Sequence, residues 1–270
     1  MKCNLCQKES DLKTSHIIPK FVIDWMKKSG TGRLRQIGTF NIPKQDGTKI
    51  KLLCSDCEQL FSKQENWFKK HVFDSYIQNQ NINIQNCQEL RYFLISILWR
   101  VLVNFKDDGN EYKFKSELNS TELEWRNFLL SHSPLIRFQN IHFILADQDY
   151  WIDIKSDIYF SRSIDIEIAE SNSICFIYAK FSRFIIIGEI TGFKENSFER
   201  TNTSKENEFR SSNQMINEES VYQFFSDRIK RYKGYDDLSD NQKKVNDKMY
   251  KNKLNTLKNS DYLRILKKYK

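Results

Sequence analysis

Glycine and proline are scarce, with 8 and 3 among 270 residues. A long flexible linker needs more of both, so none is expected. Clean apolar runs are also missing. Tyr92 to Phe105 is interrupted by Arg100, and Ile174 to Ile190 by Lys180 and Arg183. Neither suits a bilayer span, which needs about 20 predominantly apolar residues. The N-terminal MKCNLC holds no apolar signal region. With cysteines that do not look paired, this points to a reducing cytoplasm. No internal repeat and no phosphate-cradling glycine loop is visible.

What is present excludes wholesale disorder. Hydrophobic residues make up 39% and aromatics 14%, with 20 Phe and 12 Tyr, ample for a core. The length allows one large domain or two small ones. A net charge of +8 favours an anionic partner, nucleic acid before a membrane surface. Much of that excess lies in the C-terminal tail, where a solvated helix face is an equal reading.

Four of the six cysteines fall in the first 57 residues, as Cys3-x-x-Cys6 and Cys54-x-x-Cys57. Two such pairs suit a tetrahedral zinc site, each knuckle turning two thiolates toward one ion. Redox Cys-x-x-Cys motifs or disulfides are the alternatives, but no redox βαβ unit surrounds the pairs. The insert between them is too long for one loop and must carry structure of its own.

Taken in order, Ser15 to Phe21 suggests a strand ending near Pro19, and Phe21 to Lys28 a helix stopped by Ser29-Gly30. Residues 32–47 read as irregular loop, Thr48 to Leu53 as a strand, and Cys57 as the start of a helix carrying Leu60, Phe61, Trp67, Phe68 and His71. Trp67 and Phe68 are expected in the core, and His71 on a helix face, not at the metal. Cys87 to Phe105 reads as a central buried helix. Ser120 is the expected N-cap of a helix reaching Leu130. From 135 to 191 the runs Ile141–Ala146, Ile158–Phe160, Ile164–Ala169, Ile174–Lys180 and Phe184–Ile190 suggest an antiparallel meander, with His142 on a polar face. Residues 192–217 suggest a mobile loop. Glu219–Lys233 and Asp240–Lys270 suggest lysine-rich helices, the last anchored by Leu254, Leu257, Leu263 and Ile265. The expected fold class is α+β. It divides into a zinc module at 1–72 and an accessory region at 73–270: helices at 73–134, meander at 135–191, then polar loop and basic helices.

Cys3-x-x-Cys6, His16-Ile17-Ile18-Pro19 and Leu52-Leu53-Cys54-x-x-Cys57 together resemble the zinc-stapled subgroup of HNH (ββα-metal) endonucleases, built on a treble clef. The resemblance covers about the first quarter of the chain. It implies structural zinc on Cys3, Cys6, Cys54 and Cys57, and His16 as the general base that activates water for phosphodiester attack. The position before that histidine, usually a metal-binding Asp or His, is Ser15 here. The position after the second cysteine pair is Glu58, an oxygen donor suited to catalytic magnesium or manganese. Glu65 is a further candidate, and Asn41 or Asp46 could orient His16. Glu58 as a helix N-terminal charge, and His16 as a hydrogen-bonding histidine of a non-catalytic treble clef, are the plainer readings. The implied function is metal-dependent cleavage of nucleic acid, DNA first, in a bacterial defence or mobile-element setting. The rival is a non-catalytic zinc module binding nucleic acid or a protein; on either reading the β region could form a recognition or oligomer surface. A structural subunit stapled by zinc is third.

Overall fold

The computed structural model describes residues 1–36, 39–79, 82–85, 87–106, 109–131, 141–146, 153–203, 208–210, 212–257, 265 and 268. The fold is α+β, as expected. A knuckle at Cys3–Gln7 opens the chain. Gln7 N donates to Cys3 O at 2.9 Å, and Gln7 takes a positive φ of 63° to close the turn. Strand β1 (Lys13–His16) then pairs antiparallel with β2 (Lys49–Leu53), His16 opposite Lys49. Between them lie helix α1 (Lys20–Lys28) and an irregular connection. Pro19 precedes α1, where its missing N–H costs nothing.

Helix α2 (Ser55–Phe68) follows β2 directly, with Cys54 as its N-cap residue. A π-helical turn (Lys69–Phe73) and α3 (Asp74–Asn79) extend it. Helix α4 (Gln88–Phe105) is the hub, with an unbroken buried run from Tyr92 to Leu102. Its Phe93 ring stacks on Phe68 of α2 at 3.8 Å and 11°. Phe68 also meets Phe143, Phe181 and Phe184 edge-on. One aromatic cluster thus joins the N-terminal helices to the sheet behind them.

That sheet has the order β4 (Ile141–Leu145), β7 (Phe184–Thr191), β6 (Cys175–Phe181), β5 (Ile164–Glu170), all neighbours antiparallel. Successive strand residues face opposite sides. Along β6, Cys175, Ile177, Ala179 and Phe181 join the core shared with α2 and α4, while Phe176 and Tyr178 join a second core. The second face is covered by α6 (Ile154–Arg162) and α7 (Glu219–Arg231). Both faces being buried explains why β6 reads as a continuous apolar run broken only by Lys180. Lys180 is itself buried and donates to the carbonyls of Phe160, Ser163 and Ser182 at 2.9–3.0 Å. Helix α5 (Lys115–Ser131) packs beside α4, and α8 (Asp240–Leu257) ends the described helices.

Several expectations are corrected. Ile158–Phe160 is not a strand. It lies in α6, where the Asp153 side chain accepts from Ser156 N and starts the helix. Ser120 is inside α5, which begins a turn and a half earlier because Leu118 is buried in the core. His142 is not on a polar face but buried, its ring stacked on Phe198 and bonded to Thr201 Oγ1 at 2.7 Å and Glu189 Oε1 at 2.8 Å. The described part of 192–217 is tied down as β8 (Phe198–Glu199), β9 (Glu208–Arg210) and β10 (Met215–Ile216). It covers the outer edge of β4. Phe143 N donates to Thr201 O and Thr203 N to Ile141 O, both at 2.9 Å, and the Gln214 amide bridges Phe143 O and Leu145 N. A short strand β3 (Asn83–Gln85), absent from the sequence reading, pairs with β9. Of the four expected tail anchors, Ile265 is buried and Leu263 lies outside the described residues. No described helix is long and apolar enough to cross a membrane.

Candidate metal centre and the histidine beside it

The β1–β2 pair carries Cys54 from the end of β2 to the knuckle. Asn4 N donates to Leu52 O at 3.1 Å, and Cys54 N to Cys3 Sγ at 3.3 Å. Cys57 follows one turn into α2. The four sulfurs lie within 4.8 Å of one another, with Cys6 and Cys54 Sγ 3.7 Å apart. Sulfurs each about 2.3 Å from one tetrahedral ion would stand about 3.8 Å apart. The set can therefore hold one metal ion. Burial opposes the thiolate at Cys3, but the amides of Cys54, Cys6 and Leu5 outweigh it and bring that thiol to about 7. Burial pushes Cys57 up. Among the described residues this is the one group of three or more His, Cys, Asp and Glu side chains gathered for an ion. Cys87 and Cys175 are buried elsewhere.

His16 ends β1, beside this cluster in the chain's order. Its Nε2 lies 2.8 Å from Asp46 Oδ1, and its side chain is 15% exposed. Asp46 also accepts from Gly47 N at 2.9 Å and pairs with Lys49. Lys49 first, and His16 second, hold the Asp46 carboxyl well below the usual range. An ionised carboxylate can only accept, so Nε2 carries a proton, and in the neutral ring Nδ1 keeps the lone pair. Asn41 is elsewhere, its Oδ1 accepting from Ser239 N at 2.9 Å. Of the two candidate orienting residues, Asp46 is the one in contact.

Ser15 and Glu58 meet. Ser15 is buried and its Oγ donates to Glu58 Oε2 at 2.5 Å. Adjacent strand residues face opposite ways, so His16 meets Asp46 on one side of β1 and Ser15 meets Glu58 on the other. Glu58 lies in the first turn of α2, where its charge complements the helix dipole. Glu65 accepts from Arg100 Nη1 at 2.8 Å. His71 is exposed on the helix surface, its ring stacked on Trp67 at 5.2 Å, and it is far from a ligand role. Phe68 is fully buried, Trp67 half so.

Sequence reasoning passed over Arg100 as a site residue. Its one signal was a charge interrupting an otherwise apolar helix. Comparison with protein families, with curated proteins and with solved structures finds no match for this chain.

Proposed function

We propose that this chain is an HNH-like, metal-dependent endonuclease acting on nucleic acid, DNA first, with zinc held by Cys3, Cys6, Cys54 and Cys57. The observation that carries this reading is the His16–Asp46 pair at 2.8 Å, which joins the end of β1 to the connection just before β2, the strand that runs into the cysteine-bearing helix. With Nε2–H donating to Asp46, His16 Nδ1 takes a proton from water. The water oxygen bonds to phosphorus and the opposite P–O bond breaks, its electron pair leaving with the departing oxygen. Magnesium or manganese, which usually rests on one or two carboxylates plus substrate phosphates, would neutralise charge on the leaving oxygen; Glu58 is the carboxylate the resemblance offers, and to serve a phosphate beside His16 it would have to turn from Ser15. The zinc staples the fold and does no chemistry. A reducing cytoplasm keeps four such thiolates available.

One observation favours a second reading, a non-catalytic zinc module that binds nucleic acid or a protein. Glu58 is already bonded to Ser15, and Glu65 to Arg100. Incubating the full chain with magnesium or manganese and with plasmid, single-stranded DNA or RNA decides between them. Divalent-dependent cleavage, abolished by chelator, supports the nuclease. No cleavage of any substrate leaves the binding module.

A further inference from the structure

Arg100 sits in the middle of α4 with 3% of its side chain exposed. Its neighbours along the helix are buried apolar residues, Ser96 apart. A guanidinium there is expensive unless the surroundings use it. Its Nε donates to Ser96 O at 3.1 Å, within its own helix. Its Nη1 reaches out of the helix to two acceptors, His16 O at 2.9 Å and Glu65 Oε1 at 2.8 Å. The plane lies 5.3 Å from the Phe61 ring centre on α2. Its Nη2 is buried with no hydrogen-bond partner in the structure, an unmet cost that a replaceable core residue would not carry.

The carbonyl that Arg100 holds belongs to the residue read above as the base. Ile17 N donates to Thr48 O at 3.1 Å, so the strand pairing fixes the backbone just past His16 on the β2 side. Arg100 fixes the His16 carbonyl from the helix side. Glu65, on α2, holds the guanidinium from the second direction. Helix α4, α2 and β1 therefore meet at one charged group, 84 residues from His16 in the chain.

We propose that Arg100 is a positioning residue for His16. It locks the main chain under the imidazole so that Nε2 stays on Asp46. The role in turnover rests on the nuclease reading; the role in holding the ring does not. Arg100→Lys keeps the charge but loses the Nε bond to Ser96 O and the planar group that together aim Nη1 at the His16 carbonyl. In the full chain, with metal content unchanged, the His16 ring resonances, assigned by their loss in His16→Ala, should move. Turnover at saturating DNA should fall about 10²-fold, the usual effect of a small misplacement of a reacting group, while DNA affinity stays the same. If Arg100→Lys fails to fold, Glu65→Leu, at the partly exposed end of the link, is read by the same measurements. Unmoved ring resonances in a folded variant overturn the proposal, as does a lowered melting temperature with turnover per folded molecule intact. A wild type that cleaves nothing sinks the nuclease reading alone, because the resonances still decide whether Arg100 holds His16.

Discussion

Ser15 Oγ and Glu58 Oε2 stand 2.5 Å apart across 43 residues of sequence. These are the two positions where the chain departs from the HNH pattern, and they are each other's partner. A hydroxyl donor facing a carboxylate keeps that carboxylate in place without an ion. Ser15→Asp should replace this with two carboxylates in a buried corner, where like charges repel. We expect the variant to melt lower than wild type without added magnesium and to regain stability with it, since a ligand of the folded state alone stabilises it. Thermal melts with and without magnesium check this. A variant indifferent to magnesium removes the corner as a divalent site.

The cysteine cluster should carry about one zinc per chain, as a single four-thiolate site requires. Cys54→Ser should lose the ion and loosen the segment around β1, β2 and the start of α2, because metal binding and local folding are coupled. Elemental analysis and hydrogen exchange read the two effects. A metal-free wild type that is fully folded would count against it.

His16→Ala should leave zinc content and fold intact, since no ligand is touched. On the proposed nuclease reading, activity should drop by roughly 10²–10⁴, the usual worth of a general base. Any DNA binding should persist, because a ring bonded to Asp46 is not a phosphate-neutralising lysine or arginine. Activity unchanged in this variant ends the role of His16 as base.

Asp46 carries an acid-side prediction. Its folded pKa is depressed, by Lys49 first and His16 second. Such a carboxylate stabilises the fold above its unfolded value, about 4, and that contribution is lost as pH falls through the folded value. Asp46→Asn should be less stable than wild type at pH 6, and the gap should narrow as pH falls below about 4. Denaturant midpoints across pH 2–6 measure it. A constant gap at all pH values would mean the charge of Asp46 is not what matters.

Lys244, Lys248 and Lys251 are exposed on α8, and their i, i+4, i+7 spacing puts them on one helix face. If they lie against phosphates, changing all three to Gln should lower the slope of log affinity against log salt by about 2–3, near 0.9 per contact. An unchanged slope leaves them as a solvated face. Lys268, further along, pairs with Asp157 at 3.1 Å, so its removal should matter less.

Much of the first quarter was legible because its signals are local. Cysteine spacing, the Ser29 stop of α1 and the alternation in β2 each involve residues a few positions apart. The central helix was equally plain from Leu90, Phe93, Leu94, Ile97 and Leu98. The sheet was less so. Ile158–Phe160 looks like a short strand in isolation, and only the Asp153 cap and packing of Tyr159 and Phe160 on the far face make it helical. The polar run after Thr191 looked mobile because its anchors, Thr201, Thr203 and Gln214, bond to a strand edge some 60 to 70 residues away.

By itself, the sequence determined the paired cysteines, the periods of its main helices and strands, and the nearness of Ser15 and His16 to one strand end. Only the tertiary structure decided that Asp46 and not Asn41 meets His16, that Glu58 turns to Ser15, and that Arg100 reaches the His16 carbonyl. Those choices depend on which distant segments share a buried corner. Side-chain charge and hydrogen-bonding capacity limit the candidates, but the packing of α2 and α4 against β1 selects among them.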